Sequence, residues 1–224
     1  MWHLDFPEEE NFLEAHYIYM LIDLAGRKLG RRYVKILDVP CGIGRHHKYL
    51  REYGFDVYGV DAEEELIQDC LERYGAYRDH YRVMDMRDMS YNEEFDVILN
   101  WYTSFGYFTD EKNKVVLQNF YNALTRKGVL ILEYPSYWSP MFGASMHGDK
   151  YIELTELKES EKHRFQFKAR LYEVNSDYSR LTKVDEVEAV ITIYPPEDLK
   201  KCLYKQASKY YTPSGREFQT NSTR

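Results

Sequence analysis

Apolar residues recur at helical spacing between Glu8 and Leu29 (Phe12, Ala15, Tyr19, Ile22, Leu24), which predicts one or two helices stopped by Gly30. Val34, Ile36, Leu37 and Val39 then form a short strand-like run, closed by Pro40 and followed by Gly42 and Gly44. His46, Tyr49 and Leu50 open a helical pattern from about Arg45 to Tyr53, with Gly54 as its stop. The alternation continues. A strand at Asp56–Asp61 precedes a helix over 62–75. An apolar stub, Val83 and Met84, ends at Asp85. Phe95, Val97, Ile98 and Leu99 make a buried run, and a helix from about Glu111 to Thr125 leads into a strand at Gly128–Glu133. Strands alternating with helices predict an α/β chain with a parallel, doubly wound, Rossmann-like sheet.

The pattern changes after Pro135. The segments HRFQFKARLYEV and SRLTKVDEVEAVITIY alternate polar and apolar residues around Asn175-Ser176-Asp177, which predicts an antiparallel hairpin inserted after strand 5. Pro195 and Pro196 open a last helix, about Asp198 to Lys205, since proline suits the first helical turn. One further strand fits Ala207 to Tyr211, and no apolar run remains for a final one, so the expectation is that the last strand is missing, truncated or contributed by something else. The chain divides into an N-terminal helical lid (1–33), a core (34–134), a hairpin insertion (135–194) and a C-terminal helix and strand (195–224).

The 224 residues suffice for one α/β domain with a sizeable core. With 30 Lys+Arg against 37 Asp+Glu, the net charge of −7 gives no basic footprint for nucleic acid. Three cysteines are too few and scattered for a disulfide framework or zinc site; Cys41, inside the glycine turn, reads as a choice of size. No metal constellation is present. No signal-peptide pattern or run of membrane-spanning length appears, which leads to the expectation of a soluble, cytoplasmic protein.

The strand–glycine turn–helix at Val34–Leu50 carries the chemistry. Glycines at 42 and 44 permit close approach, and the first N–H groups of the next helix face whatever lies against the turn. A dinucleotide fingerprint would place a third glycine where His47 stands. Asp38, just before the turn, would repel a pyrophosphate and suits a ligand with a cationic end. Asp61, about 20 residues beyond the turn, stands where a second strand presents a carboxylate to ribose hydroxyls; a helix N-cap is the other use of aspartate there.

The pattern D-x-x-x-G-x-G, with Pro40 where glycine is usual, resembles the first motif of class I S-adenosylmethionine-dependent methyltransferases. The strings D-M-R-D from Asp85 and S-F-G-Y-F from Ser104 resemble the small-molecule members, including sugar N,N-dimethyltransferases. The resemblance implies S-adenosylmethionine as cofactor and methyl transfer to a small-molecule nitrogen or oxygen by in-line displacement. Asp38, Pro40, Gly42, Gly44 and Arg45 would hold the amino-acid end, Asp61 and Ala62 the ribose, and Asp85 and Met86 the adenine. Trp101 and Tyr102 would contact the sulfonium and Asn100 would meet the cofactor at the same strand edge, with Tyr17 (or Tyr19) closing from the lid. His147 and His16 are candidate bases, and His3 another if the N-terminus folds over. The insertion would cap the acceptor or form a homodimer contact. An NAD-dependent oxidoreductase and a non-catalytic cofactor-fold module are the alternatives.

Overall fold

The computed structural model describes residues 6–134, 142–147, 149–161, 163–176 and 179–209. Five parallel strands form one sheet: β1 (Lys35–Asp38), β2 (Asp56–Asp61), β3 (Tyr81–Val83), β4 (Phe95–Asn100) and β5 (Leu124–Leu132). Their order, β3-β2-β1-β4-β5, makes β1 the centre. The register sets Asp38 level with Gly59 of β2 and Leu99 of β4, and Asp61 level with Val83 of β3. Thus β1 and β2 end in carboxylates, and Asp85 follows β3 by two residues.

Alternate residues of each strand face opposite layers. On one face Ile36, Val57, Val97 and Leu99 pack under α1 (Glu8–Leu29) and α2 (His47–Glu52), through Ala15, Ile18, Ile22, Tyr49 and Leu50. On the other, Leu37, Val60 and Ile98 meet Val116, Leu117 and Phe120 of α4 (Asp110–Ala123) and Leu203 of α5 (Pro196–Lys209). Helix α3 (Glu64–Arg73) covers the β3 side with Ile67 and Cys70.

Several expectations need correction. Helix α1 is a single helix, ended at Gly30 as expected with φ +63°, but its buried face is Asn11, Ala15, Ile18 and Ile22; Phe12 and Leu24 are exposed. Strand β5 begins at Leu124, because residues 124–128 bulge out of register between the Phe95 and Val97 pairs. The insertion is four antiparallel strands in sequential order, β6 (Phe142–His147), β7 (Tyr151–Glu161), β8 (Arg164–Val174) and β9 (Leu181–Thr192). The β8–β9 pairing is the expected hairpin; β7 is so rich in Glu and Lys that its alternation is faint. Residues 207–209 are helical within α5, not strand, and Tyr210 and Tyr211 lie outside the described residues. Among the described residues no helix is long and apolar enough to cross a membrane.

The antiparallel sheet is anchored into the loop that leaves β4. Thr192 N donates to Gly106 O at 2.7 Å, and Arg164 donates to Phe108 O and Thr192 Oγ1. Tyr134 Oη donates to Thr192 O, and Tyr194 Oη donates to Asp110. Gly106 makes this possible: its φ is +107°, and a Cβ would lie 2.3 Å from Thr192 O. Gly106→Ala is therefore expected to cost about 1–3 kcal/mol and to expose the β9 end first. Hydrogen exchange rising at Thr192 before the parallel core opens would bear this out; an unchanged pattern would refute it.

Candidate active site at the carboxyl rim of the sheet

Open α/β sheets bind ligands outside the carboxyl ends of their strands, and there the polar groups converge. Asp38 is buried at 3 % exposure. Its Oδ2 lies 3.0 Å from His47 Nε2, and His47 Nδ1 lies 2.8 Å from Tyr81 Oη. Arg51 donates to the same hydroxyl at 2.9 Å. The proton positions follow. Burial lowers the His47 pKa despite the bond to Asp38, so the ring is neutral. A carboxylate only accepts, so Nε2 carries the proton toward Asp38, and Tyr81 Oη donates to bare Nδ1. Arginine, donor only, ends the chain. The residue in place of a third glycine thus fixes the turn from below, and Gly59 leaves it room: a Cβ there would meet Cys41 Sγ at 2.8 Å and His47 Cε1 at 3.0 Å.

Above that network the turn is open. Gly42 has φ +54° with nothing within 4 Å of where its Cβ would be. Its N–H donates to Asp61 Oδ2 at 2.9 Å, and Glu63 N–H donates to Oδ1 at 3.0 Å. Asp61 is not the N-cap of α3, which is Glu63 and has no side-chain cap; Asp61 holds the turn before the helix, and each of its oxygens keeps a lone pair for a further donor. Burial raises its pKa, against those two N–H groups, with Asp38 adding to the rise. Asn100, fully buried at the end of β4, donates to Val39 O at 2.6 Å. Asp38 Oδ1 and Asn100 Oδ1 are buried acceptors without a protein partner. Two orphan acceptors on adjacent strand tips suit a ligand that brings donors, such as an ammonium group.

Other expected residues are placed differently. Asp85 is gripped by Arg87, whose N–H, Nε and Nη2 all donate to its carboxylate and lower its pKa. The Met86 side chain is in the core, its carbonyl held by Asn119. Arg45 is engaged by Asn11 at 2.9 Å and Glu14 at 2.6 Å, a tie to α1 in place of the expected ligand carboxylate. Pro40 follows a cis peptide beside the turn, and Ala62 is exposed next to Asp61. His16 does not reach the rim: its Nδ1 meets Tyr53 Oη at 2.9 Å, and Tyr53 ends α2 at the amino edge of the sheet. That removes His16 as a base. His147 ends β6 opposite Tyr151, but its side chain, like all of His3, lies outside the described residues. A cavity of about 400 Å³ beside Tyr53 also belongs to the amino edge, and its Arg27 and Arg31 are paired with Asp23 and Asp96.

The sequence reading missed Glu14, the hub of the rim. It accepts from Arg45, from His46 at 3.0 Å and from Trp101 Nε1 at 2.8 Å. Only its place on the α1 face that carries Arg45's other partner could have signalled this. Tyr17 stands 6.0 Å from Trp101, ring to ring, at the β4 exit; the other lid candidate, Tyr19, stacks on Tyr53 at the amino edge instead. Tyr107, in the S-F-G-Y-F string, has its hydroxyl at Ser104 and feels the Asp61 charge, with burial raising its pKa. Glu133, after β5, accepts from Thr103 N at 2.6 Å, and burial raises its pKa.

Residues 36–128 match the family model of the methyltransferase domain. This segment is a methyltransferase domain. It is 32 % identical over 108 residues to glycine/sarcosine N-methyltransferase of Aphanothece halophytica, across 46 % of this chain and 41 % of that protein. For the enzyme of the same name from Halorhodospira halochloris the values are 34 % over 109 residues, 46 % and 40 %. The chain therefore spans less than half the length of these relatives. Solved structures share the methyltransferase fold. DesVI of Streptomyces venezuelae has a TM-score of 0.72 at 16 % identity, covering 88 % of this chain and 83 % of that one. An amino pentose methyltransferase of Micromonospora echinaspora, solved with S-adenosylmethionine bound, gives 0.71 at 16 %, with coverage of 92 % and 90 %. At such identities the likeness speaks for the fold, which is class I. In this methyltransferase domain the buried His47 leaves no third glycine for the dinucleotide alternative.

Glu14 also makes the rim sensitive to acid. Burial alone would raise its pKa, but the hydrogen bonds from His46 and Trp101 and the Arg45 charge outweigh it and hold it at about 2, against 4.5. A depressed pKa means stability that is present above pH 4.5 and lost as pH falls toward about 2. Across that window α1 should loosen, reported by Trp101 fluorescence. In Glu14→Gln the contacts should be weaker at neutral pH by about 1–3 kcal/mol and the acid response flattened; a response equal to wild type would refute this role.

Proposed function

We propose that this chain is an S-adenosylmethionine-dependent methyltransferase acting on a small amine. The observation that carries the reading is the meeting of Asp38, Asp61 and Asn100 around the open turn at Gly42, with two buried acceptors unpaired. The bound cofactor supplies a methyl group on sulfonium sulfur, open to in-line displacement. In this reading Asp38 and Asn100 accept from the ammonium of its amino-acid end, and Asp61 accepts from ribose hydroxyls. The adenine end is assigned to the Asp85–Met86 turn through its backbone, because Arg87 holds the carboxylate. Trp101 stands over the sulfur, where an aromatic face favours a desolvated cation by about 1–2 kcal/mol. Alignment and exclusion of water supply most of the rate, since positioning is worth about 7–11 kcal/mol.

The amine class rests on charge. Glu133 lies beside the β4 exit loop, and Glu153 of β7 acts electrostatically on Tyr102 of that loop. Acids around the acceptor's approach favour an ammonium ligand, and two curated relatives are named for N-methylation of glycine and sarcosine. The antiparallel sheet, rooted at Gly106, is assigned as the acceptor cap.

Two measurements test this. Titration calorimetry should show binding of S-adenosylhomocysteine, weakened in Asp61→Ala by about 1–3 kcal/mol; no heat and no thermal shift with wild type would end the assignment. With a panel of small amines beginning with glycine and sarcosine, Glu133→Gln should raise KM for the amine about tenfold, the scale of one charge-assisted hydrogen bond, and leave S-adenosylhomocysteine affinity unchanged. An unaltered KM would remove Glu133 from acceptor binding.

A further inference from the structure

Helix α1 has two apolar faces. Asn11, Ala15, Ile18 and Ile22 point into the protein. Leu13, Tyr17, Met20 and Leu24 repeat the same spacing two positions on, about 200° around the helix, and are 64, 39, 45 and 46 % exposed. A surface helix normally carries charge on that side, and a continuous exposed apolar stripe marks an interaction surface.

The charges at the two ends of the helix say what fits. The first turn is acidic (Glu8, Glu9, Glu10) and the last turn basic (Arg27, Lys28). A second α1 laid antiparallel, with Leu13 of one copy opposite Leu24 of the other, also brings Tyr17 opposite Met20. The same register sets Glu10 opposite Arg27 and Glu9 opposite Lys28. Every member of the stripe meets an apolar partner and both charged ends meet their opposites, twice over, as a two-fold axis requires. The macrodipoles are antiparallel as well. The Arg27–Asp23 pair is exposed on both sides and worth little, so it does not hold Arg27 back.

We propose that α1 is a homodimerisation helix, docking antiparallel on α1 of a second copy about an axis between Tyr17 and Met20. The sequence places a homodimer contact on the insertion instead, but there Lys168 pairs with Glu186 and Glu188, and Arg170 with Glu156 and Glu186, all within one copy. The proposal stands on the helix alone and does not rest on methyl transfer.

Sedimentation of the full chain tests it, with circular dichroism as the check on folding. Wild type should sediment as a dimer. Met20→Lys and Leu24→Glu should each weaken association at least about tenfold, that is 1.4 kcal/mol, with the fold intact. Glu10→Arg and Arg27→Glu should each weaken it, and the double variant should restore it, because each reversed residue then faces its reversed partner. A monomeric wild type would overturn the proposal, as would a dimer that survives Leu24→Glu or a double variant no tighter than its parents.

Discussion

A carboxylate taken out of water at the tip of the central strand is the constraint on which the rim is built. Burying an anion is costly unless it is paired and hydrogen-bonded. Asp38 meets that condition on one side only, through the directional chain from Arg51 through Tyr81 and His47. The chain crosses from β1 to β3 beneath the glycine turn, so the floor of the site cannot shift without breaking bonds between neutral and charged groups in a dry environment. The other side of the carboxylate, Oδ1, has no protein partner. Rigidity below and unmet demand above come from the same residue, which is how a preorganised site differs from a merely polar one.

The second anion, Glu14, performs the matching task from above. It gathers donors from the turn (Arg45, His46) and from the β4 exit (Trp101) onto α1. The helix is therefore fastened by charge at the rim and by Ala15, Ile18 and Ile22 over the sheet. A helix bound this way by one face remains free to present its other face outward, where Leu13 to Leu24 lie.

How much of this the sequence discloses depends on the range of each interaction. Strand order and the acid tips are legible because β-rich runs and following acids are local patterns, and the connection rules leave few topologies. His47 is legible only as a missing glycine, since its partners lie 9 and 34 residues away. Glu14 is invisible for the same reason, and also because one more acid on a helix that begins Glu-Glu-Glu looks like a solvated face. The buried side of α1 is misread because aromatic Phe12 and Tyr19 look more like core than Asn11 does; yet Asn11 is buried because it holds Arg45. Asp85 appears as a ligand acid by position, but in the folded chain Arg87, two residues on, occupies it.

The loop after β4 shows where the fold spends stability on geometry. Tyr102 and Thr103 are consecutive non-glycine residues with φ of +57° and +55°, a conformation costing on the order of 1–3 kcal/mol each. It persists because three contacts over-determine it. Glu133 accepts from Thr103 N, Ser104 Oγ donates to Trp101 O, and Gly106 is bonded to Thr192 of the antiparallel sheet. The first and third reach out of the loop, to the residue after β5 and to β9, and the second ties the loop to its own first residue. A relaxed, right-handed turn would break the register that sets Trp101 beside Tyr17 and Glu14 while keeping Tyr107 at Ser104. The strain is thus the consequence of requiring one nine-residue loop (101–109) to meet α1, the end of β5 and the antiparallel sheet at once.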